Sequence, residues 1–289
     1  MKIAITGSSG FVGTNFIKKT KDFTITEIDL LTQKVDEIDF SQNDSVLHLA
    51  ALVHQMKGAP DEQYFRINRD LTYEVAKKAK SHGVKQFLFM STAKVFGEST
   101  TGRSAWNENS ECFPLDPYGK SKYEAEKLVL SLQDESFKVA IVRSPLVYGA
   151  GVKANMYNLV KLVKMLPLLP LGGIHNKRSI VYIGNLIALL KHIIEKQESG
   201  VFIAGDQSSF STTALILLIA KKLNKRLYLI KIHSSITWLI SKIKPSIMDR
   251  LFGSLELDNT ITNRKLEFLP PYSSEDGIQE MVDWYISNR

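Results

Sequence analysis

The chain has 289 residues, 44% of them hydrophobic and 23% charged, a composition that excludes disordered and fibrous proteins. Its single cysteine, Cys112, excludes an internal disulfide and a cysteine zinc cluster, and its net charge of +7 suits nucleic acid, anionic lipid or a phosphorylated small molecule equally. The longest aliphatic run, Ala214 to Ala220, is too short to cross a bilayer, and the N-terminus has no long apolar signal stretch. We therefore expect a cytoplasmic protein with no integral membrane segment.

The first half of the chain alternates β-like runs with helical ones. The predicted strands are Lys2–Thr6, Thr24–Ile28, Ser45–Ala50, Gln86–Met90 and Lys138–Val142. The predicted helices are Phe11–Lys19, Asn68–His82 and Tyr118–Gln133. This alternation predicts an α/β fold, a Rossmann-type doubly wound parallel sheet with helices on both faces.

The character of the sequence changes after Gly149, where prolines at 167 and 170 and a glycine pair at 172 and 173 precede a series of short elements. We predict a dinucleotide-binding domain over residues 1–149 and mainly a smaller, irregular α/β substrate-binding cap over residues 150–289. A helix near 184–196 is expected to return to the first domain. The stretch 231–252, which combines lysines with Trp238 and Ile240, is more typical of a core-facing helix with a basic rim than of a helix lying on a membrane.

A glycine motif with the spacing G-x-x-G-x-x-G lies between the first strand and the first helix. In Gly7-Ser8-Ser9-Gly10-Phe11-Val12-Gly13 the glycines allow a tight turn and the close approach of a pyrophosphate to a helix N-terminus. Asp29 ends the second strand, where its carboxylate could accept hydrogen bonds from ribose hydroxyls and repel a 2′-phosphate, or could equally form a turn. The motif and this carboxylate favour NAD(H) as cofactor without excluding NADP(H).

A second pattern, Tyr118-x-x-x-Lys122, places a phenol and an ammonium one helical turn apart on the same face. Because a nearby cation favours the phenolate, Tyr118 is expected to exchange a proton with a substrate hydroxyl or carbonyl near neutral pH. Ser91-Thr92, at the end of an upstream strand, supplies hydroxyls that could bond the same oxygen. His54, beyond the third predicted strand, is more typical of a capping or solvated histidine than of a substrate contact.

Taken together, these motifs resemble the extended short-chain dehydrogenase/reductases, the NAD-dependent epimerase/dehydratase family. Leu49-Ala50-Ala51 at a strand end and Arg143-x-x-x-Val147-Tyr148-Gly149 add to the resemblance, the latter being typical of members that act on nucleotide sugars. Residues 30–45 are too few for the third strand and adenine-binding Asp-Val/Leu pair usual in the family, and Asp39-Phe40 is the candidate replacement.

The resemblance implies a role for each matching residue. Thr92, Tyr118 and Lys122 would be catalytic, and Lys122 would also hold the nicotinamide ribose. The cofactor would contact Gly7, Gly10, Phe11, Val12, Gly13, Asp29, Leu49, Ala50, Ala51, Tyr118, Lys122 and Pro145. The UDP-sugar would contact Ser91, Thr92, Lys94, Asn155 and Arg178. No metal is implied, and a homodimer is expected through helices 68–82 and 118–133.

The residues after Thr92 narrow the range of reactions that the resemblance implies. Dehydratases of the family have an Asp-Glu pair there and 3,5-epimerases a Cys, whereas this chain has Ala93 and Lys94, which leaves hydride transfer at sugar C4. The stretches 91–98, 149–156 and 171–179 resemble bacterial 4-ketoreductases that make UDP-N-acetylquinovosamine or UDP-N-acetylfucosamine. We therefore predict NAD(P)-dependent reduction of a UDP-4-keto-6-deoxy-N-acetylhexosamine for surface-polysaccharide synthesis.

Two alternatives remain. One is a UDP-glucose/UDP-N-acetylglucosamine 4-epimerase, which would use the same catalytic residues. The other is a non-catalytic NAD-binding regulatory protein, which would not need a Thr-Tyr-Lys set. Nucleic-acid binding is not expected, because the basic residues are dispersed and lack an aromatic-basic motif.

Overall fold

The computed structural model describes residues 1–53, 59–231, 242 and 245–288. Its strands are β1 (Lys2–Thr6), β2 (Thr24–Ile28), β3 (Ser45–His48), β4 (Gln86–Thr92), β5 (Lys138–Ser144), β6 (Leu146–Tyr148), β7 (Leu168–Leu169), β8 (Ile180–Tyr182), β9 (Gly200–Ile203) and β10 (Tyr228–Leu229). Its α-helices are α1 (Phe11–Lys19), α2 (Asp61–Tyr64), α3 (Leu71–Ser81), α4 (Pro117–Leu130), α5 (Ala154–Met165), α6 (Ile183–Glu195), α7 (Thr212–Lys222), α8 (Pro245–Phe252), α9 (Thr260–Leu266) and α10 (Ser274–Ser287).

The central sheet has six parallel strands in the order β2-β1-β3-β4-β5-β9. Its inner strands are continuous apolar runs because helices cover both faces. On one face the strands pack against α3 and α4, and on the other against α1, α5, α6, α7 and α10. The predicted doubly wound α/β fold is confirmed, and the carboxyl ends of β1, β3, β4 and β5 therefore meet at one edge, where ligands bind in such sheets.

Several predicted element boundaries differ from the structure, among them the end of α4 at Leu130 rather than Gln133 and of β5 at Ser144 rather than Val142. Helical backbone begins at Asp61 and passes through a π-helical segment, Phe65–Asp70, before α3, so the predicted start at Asn68 is wrong. The third strand ends at His48 rather than at Ala50, and the fourth extends to Thr92.

The connection between β2 and β3 is short, as the sequence predicts. Its only regular element is a 3-10 turn, Val35–Glu37, so no extra strand precedes β3 and β2 lies at the edge of the sheet. The connection crosses β1, so β3 pairs with β1 on the side opposite β2.

The second half of the chain also contributes to the central sheet. α6 packs against α1, and β9 pairs with β5 through the register Ile141↔Val201. Two small parallel sheets, β6-β8 and β7-β10, lie outside the central one. The division at residue 149 remains a prediction.

In the ranges that the structure describes, no helix is long and apolar enough to span a bilayer. His54 lies outside the described residues. So do residues 232–241, 243 and 244 of the stretch 231–252.

Candidate active site

The glycine motif forms the turn from β1 into α1. Gly7 has φ +71°, and a Cβ there would lie 2.6 Å from the Ala50 backbone nitrogen, so only glycine allows this approach of the two strand ends. A Cβ on Gly13 would lie 2.5 Å from the Gly7 carbonyl oxygen, which keeps α1 close against the turn. No side chain caps the N-terminus of α1, and its first turn has no acidic residue, so its backbone N–H groups suit an anion.

The strand ends beside this turn carry the other residues expected at the cofactor. Leu49 donates its N–H to the Thr6 carbonyl, and Ala50 donates to the Thr6 hydroxyl at 3.4 Å. Asp29 is exposed at the end of β2, where its carboxylate accepts hydrogen bonds from Leu31 N–H and the Thr32 hydroxyl. Asp29 therefore forms a turn in this structure. A bound ribose would have to share its carboxylate with these two donors.

An adenine contact by Asp39-Phe40 remains a prediction. Phe40 is fully buried in the core, and Asp39 lies 3.1 Å from His82. An open groove of about 840 Å³ lies between residues 30–36 and α3.

Thr92, Tyr118 and Lys122 come together at the carboxyl edge of β4. Thr92 ends that strand, and its hydroxyl lies close enough to the Tyr118 hydroxyl to influence its pKa. Tyr118 lies in the first turn of α4, whose N-cap Asp116 accepts a hydrogen bond from Gly119 N–H at 2.6 Å. Lys122 follows one turn later, almost fully buried, with Nζ 4.0 Å from the centre of the Phe89 ring. The three predicted catalytic side chains thus share one site.

The protonation of this site differs from the sequence-based expectation. Desolvation raises the pKa of Tyr118 to about 12, although its ring is partly exposed and the Thr92 hydrogen bond acts in the opposite direction. Burial lowers the pKa of Lys122 to about 7, against a smaller effect of Glu126. The expected lowering of the Tyr118 pKa by Lys122 is therefore wrong for the chain alone, because desolvation dominates.

Behind Lys122 lies a buried ionic network. Glu126, one turn further along α4, accepts a hydrogen bond from Ser91 Oγ at 2.5 Å and from Arg143 Nη2 at 2.7 Å. Both oxygens of Glu126 are also 3.2 Å from Arg143 Nε. Ser91 therefore bonds to protein in this structure rather than pointing a free hydroxyl at the substrate, and the network joins β4, β5 and α4.

Lys94 is held by two carboxylates. Its ammonium pairs with Glu98 and lies 3.2 Å from Asp116 Oδ2. Because Asp116 caps α4, Lys94 stabilises the start of the helix that carries Tyr118. A direct substrate contact by Lys94 remains a prediction.

Asn68 is a site residue that sequence reasoning missed. It lies in the π-helical segment, fully buried, and its amide both accepts from Leu52 N–H at 2.8 Å and donates to the Leu52 carbonyl at 3.0 Å. It also donates to Ser121 on α4. π-Helical segments often occur at functional sites, and this one fastens the loop after β3 to the helix of Tyr118.

Of the cap residues, Asn155 is exposed in the first turn of α5. Arg178 donates to the carbonyls of Asp249 and Gly253 at the end of α8, at 3.2 and 3.0 Å. Pro145 directly follows β5, whose last residue Ser144 pairs with Thr92. Contacts of these residues with cofactor or substrate remain predictions. Among the described residues, no cluster of His, Cys, Asp or Glu could hold a metal ion.

Residues 3–205 match the model of the NAD dependent epimerase/dehydratase family. The chain belongs to this family. It is 33% identical to a UDP-glucose 4-epimerase from Vibrio cholerae, with 98% of this chain and 95% of that protein covered. It is 24% identical to an N-acetyl-alpha-D-glucosaminyl-diphospho-ditrans,octacis-undecaprenol 4-epimerase from Escherichia coli O157:H7, over 98% of this chain and 94% of that one.

Among solved structures, UDP-glucuronic acid 4-epimerase from Bacillus cereus in complex with NAD has the same fold, with a TM-score of 0.78, 20% identity and 99% of both chains covered. The family assignment confirms the resemblance inferred from the glycine motif and from Tyr118-x-x-x-Lys122. Within this epimerase/dehydratase fold, the glycine turn, Thr92, Tyr118 and Lys122 lie at the same edge of the sheet.

Proposed function

We propose that this protein is a UDP-hexose 4-epimerase, which inverts the configuration at sugar C4 by oxidation and re-reduction. The observation that carries the proposal is the Thr92–Tyr118–Lys122 site at the carboxyl edge of β4, because a phenol beside a threonine hydroxyl can exchange a proton with one substrate oxygen. The 33% identity with a UDP-glucose 4-epimerase, over nearly the whole of both chains, supports the choice of reaction and of substrate class.

The glycine turn fits a dinucleotide. The positive φ of Gly7 and the uncapped N-terminus of α1 provide a cradle for a pyrophosphate that a side chain at residue 7 would close. NAD, when bound, supplies the acceptor and donor of the C4 hydrogen. Asp29 supports NAD over NADP, because its exposed carboxylate would face a 2′-phosphate of like charge.

The protein's own residues handle the proton. At neutral pH Tyr118 is protonated, since its pKa is about 12, and can donate to the oxygen of a C4 ketone. In the opposite direction Tyr118 would first have to lose its own proton, and the phenolate would then take the proton of the C4 hydroxyl. Thr92, next to Tyr118, would hold the same oxygen, and a protonated Lys122 would stabilise the negative charge of the phenolate.

The surroundings of Thr92 argue against dehydration. Loss of water requires an acid at the departing hydroxyl and a base at C5, but Ala93 is small and buried. The two nearby carboxylates, Glu98 and Asp116, are both paired with Lys94. Neither carboxylate is placed to act as a free catalytic acid.

One-way reduction of a UDP-4-keto sugar is the second candidate, favoured by the resemblance of residues 94–98 and 151–155 to bacterial 4-ketoreductases. The deciding experiment incubates purified protein with UDP-glucose or UDP-N-acetylglucosamine without added cofactor, and with UDP-4-keto-6-deoxy-N-acetylglucosamine plus NADH. NMR of the product's C4 configuration and NADH absorbance are followed. Interconversion of the C4 epimers of a UDP-sugar without added cofactor supports the epimerase. If the protein instead only consumes NADH, and only when the keto sugar is present, the proposed function becomes the reductase.

The Tyr118→Phe variant is the control in both arms, because it removes the exchangeable proton and leaves the glycine turn unchanged. If neither arm shows turnover and the protein binds no nicotinamide cofactor, the enzymatic proposal fails and the non-catalytic alternative gains support.

A further inference from the structure

An apolar surface with basic neighbours lies on α5, β7 and β10, in the predicted cap. It consists of five side chains that are 41–66% exposed, and we call it the cap patch. Its members are Met165, Leu166, Leu168, Tyr228 and Ile230.

The backbone of this region holds the five side chains close together. β7 and β10 are parallel neighbours in which Leu168 is paired with Tyr228. Since alternate residues of a strand point to opposite faces, buried Leu169 faces inward while Leu168 and Tyr228 face outward. Ile230 continues the outer face, and its N–H donates to the Leu169 carbonyl at 3.0 Å.

Lys225 fastens the end of α5 to the same surface. Its ammonium donates to the carbonyls of Val163, Lys164 and Leu166, the last at 3.0 Å. Met165 and Leu166 are thereby held beside the loop that leads into β10. The exposed apolar residues therefore form one surface built from α5, β7 and β10.

The chain segments that build the cap patch carry charge of one sign, although Lys177 and Lys222 in them pair with Glu256 and Glu275 from elsewhere in the chain. Residues 151–181 and 207–231, which contain α5, β7, α7 and β10, carry ten lysines and arginines and no aspartate or glutamate. Because the whole chain has a net charge of +7, the rest of the chain is net negative. Lys161, Arg226 and Lys231 are exposed beside the patch, and none of the three has an acidic partner among the described residues.

We infer that the cap patch docks this protein on the surface of an anionic phospholipid bilayer. Exposed aliphatic side chains and a tyrosine, bordered by the basic side chains of Lys161, Arg226 and Lys231, are the composition of surfaces that lie in the membrane interface. A second copy of the chain fits less well, because a two-fold interface would place the same basic residues opposite each other. A nucleic acid would leave the exposed Met, Leu and Ile side chains without apolar partners.

Docking in this way would leave the active site free. α5 has Asn155 in its first turn and Met165 in its last, so the patch lies about 15 Å from the predicted nucleotide contact at 1.5 Å per residue. The inference does not depend on whether the enzyme is an epimerase or a reductase.

Vesicle co-sedimentation tests the inference. Full-length protein is mixed with vesicles of phosphatidylcholine alone or with 30% phosphatidylglycerol, at low and high salt. We expect binding to the anionic vesicles that falls at least fivefold in high salt and on pure phosphatidylcholine. Absence of binding to anionic vesicles at low salt would overturn the inference.

Two double variants separate the apolar from the electrostatic contribution to vesicle binding. Tyr228→Ser with Ile230→Ser removes apolar surface, and Arg226→Glu with Lys231→Glu reverses the border charge. Each pair should lower binding at least fivefold while the circular dichroism spectrum stays native. Leu269→Ser, at another exposed leucine, and Lys138→Glu, at the far end of β5, are matched controls that should change binding less than twofold.

If the control variants lose as much vesicle binding as the double variants, the inference is also overturned, because binding would then follow the overall charge or hydrophobicity of the protein. Light scattering without lipid gives an independent readout. A change from dimer to monomer in the Tyr228→Ser/Ile230→Ser variant, without a change in vesicle binding, would assign the cap patch to contact between copies instead.

Discussion

Replacing Glu126 by Gln should destabilise this protein strongly. The carboxylate is 1% exposed and accepts hydrogen bonds from Arg143 and Ser91, and Arg143 is itself only 6% exposed. The variant would leave a buried guanidinium without its counter-ion, which costs about 3–5 kcal/mol. At roughly 2–4 °C per kcal/mol for a chain of this size, the melting temperature should fall by about 10 °C, measured by circular dichroism with urea unfolding as a check.

Glu124→Gln is the matched control on the same helix. Glu124 also pairs with an arginine, Arg69, but its side chain is 39% exposed, so the loss should be below about 1 kcal/mol. The double variant Glu126→Leu/Arg143→Met removes both charges and should be more stable than Glu126→Gln. Equal and small shifts of the melting temperature in Glu126→Gln and Glu124→Gln would refute the reasoning. A double variant that is less stable than Glu126→Gln would refute it as well.

The remaining predictions concern catalysis, cofactor choice, pH and assembly. Tyr118→Phe should lower turnover by about 10² or more with little change in NAD affinity, measured by steady-state kinetics and cofactor titration; near-normal turnover would contradict its role. Asp29→Ala should weaken NADH binding and lessen discrimination against NADPH, and an unchanged ratio of their dissociation constants would count against the ribose contact. Burial holds the pKa of Lys122 at about 7 in the folded chain, below its unfolded value of 10.5, so the unfolded state binds more protons between these values and stability should rise with pH there. Urea unfolding should show this rise, by up to about 1.4 kcal/mol per pH unit, in wild type relative to Lys122→Met, and parallel pH profiles would disprove it. Light scattering should give about 65 kDa, twice the chain mass of 32.5 kDa, for the expected dimer, whereas a 32.5 kDa particle at micromolar concentration would argue for a monomer.

The sequence alone was sufficient for the features that depend on local pattern. Buried parallel strands are apolar runs, and the glycine turn between β1 and α1 requires its residues at fixed spacing, so both could be placed before the structure was known. The 30–45 segment was correctly predicted to lack a strand because it is too short to hold one.

Features that depend on tertiary contacts could not be predicted. The helical segment before α3 has π-type spacing, and Asn68 turns toward the Leu52 backbone, which a 3.6-residue period does not reveal. The pKa of Tyr118 was predicted in the wrong direction, because sequence spacing shows the nearby Lys122 but not the desolvation of the phenol. Glu126 carried a weak signal, since it lies one turn from Lys122 on the buried face of α4, but its partner Arg143 comes from a strand 17 residues later.

The short connection between β2 and β3 also has a consequence for association between copies. β2 pairs only with β1 in the described structure, so one side of its backbone lies at an open sheet edge that another extended chain could join. The other edge strand, β9, is covered differently, because Thr262 on α9 accepts the Ile203 N–H at 2.8 Å. β2 has no such cover, but exposed Thr24, Thr26 and Glu27 place hydroxyls and a charge along it. These polar side chains disfavour edge-to-edge pairing, and replacing Glu27 by a β-branched apolar residue would turn this edge into a site of aggregation.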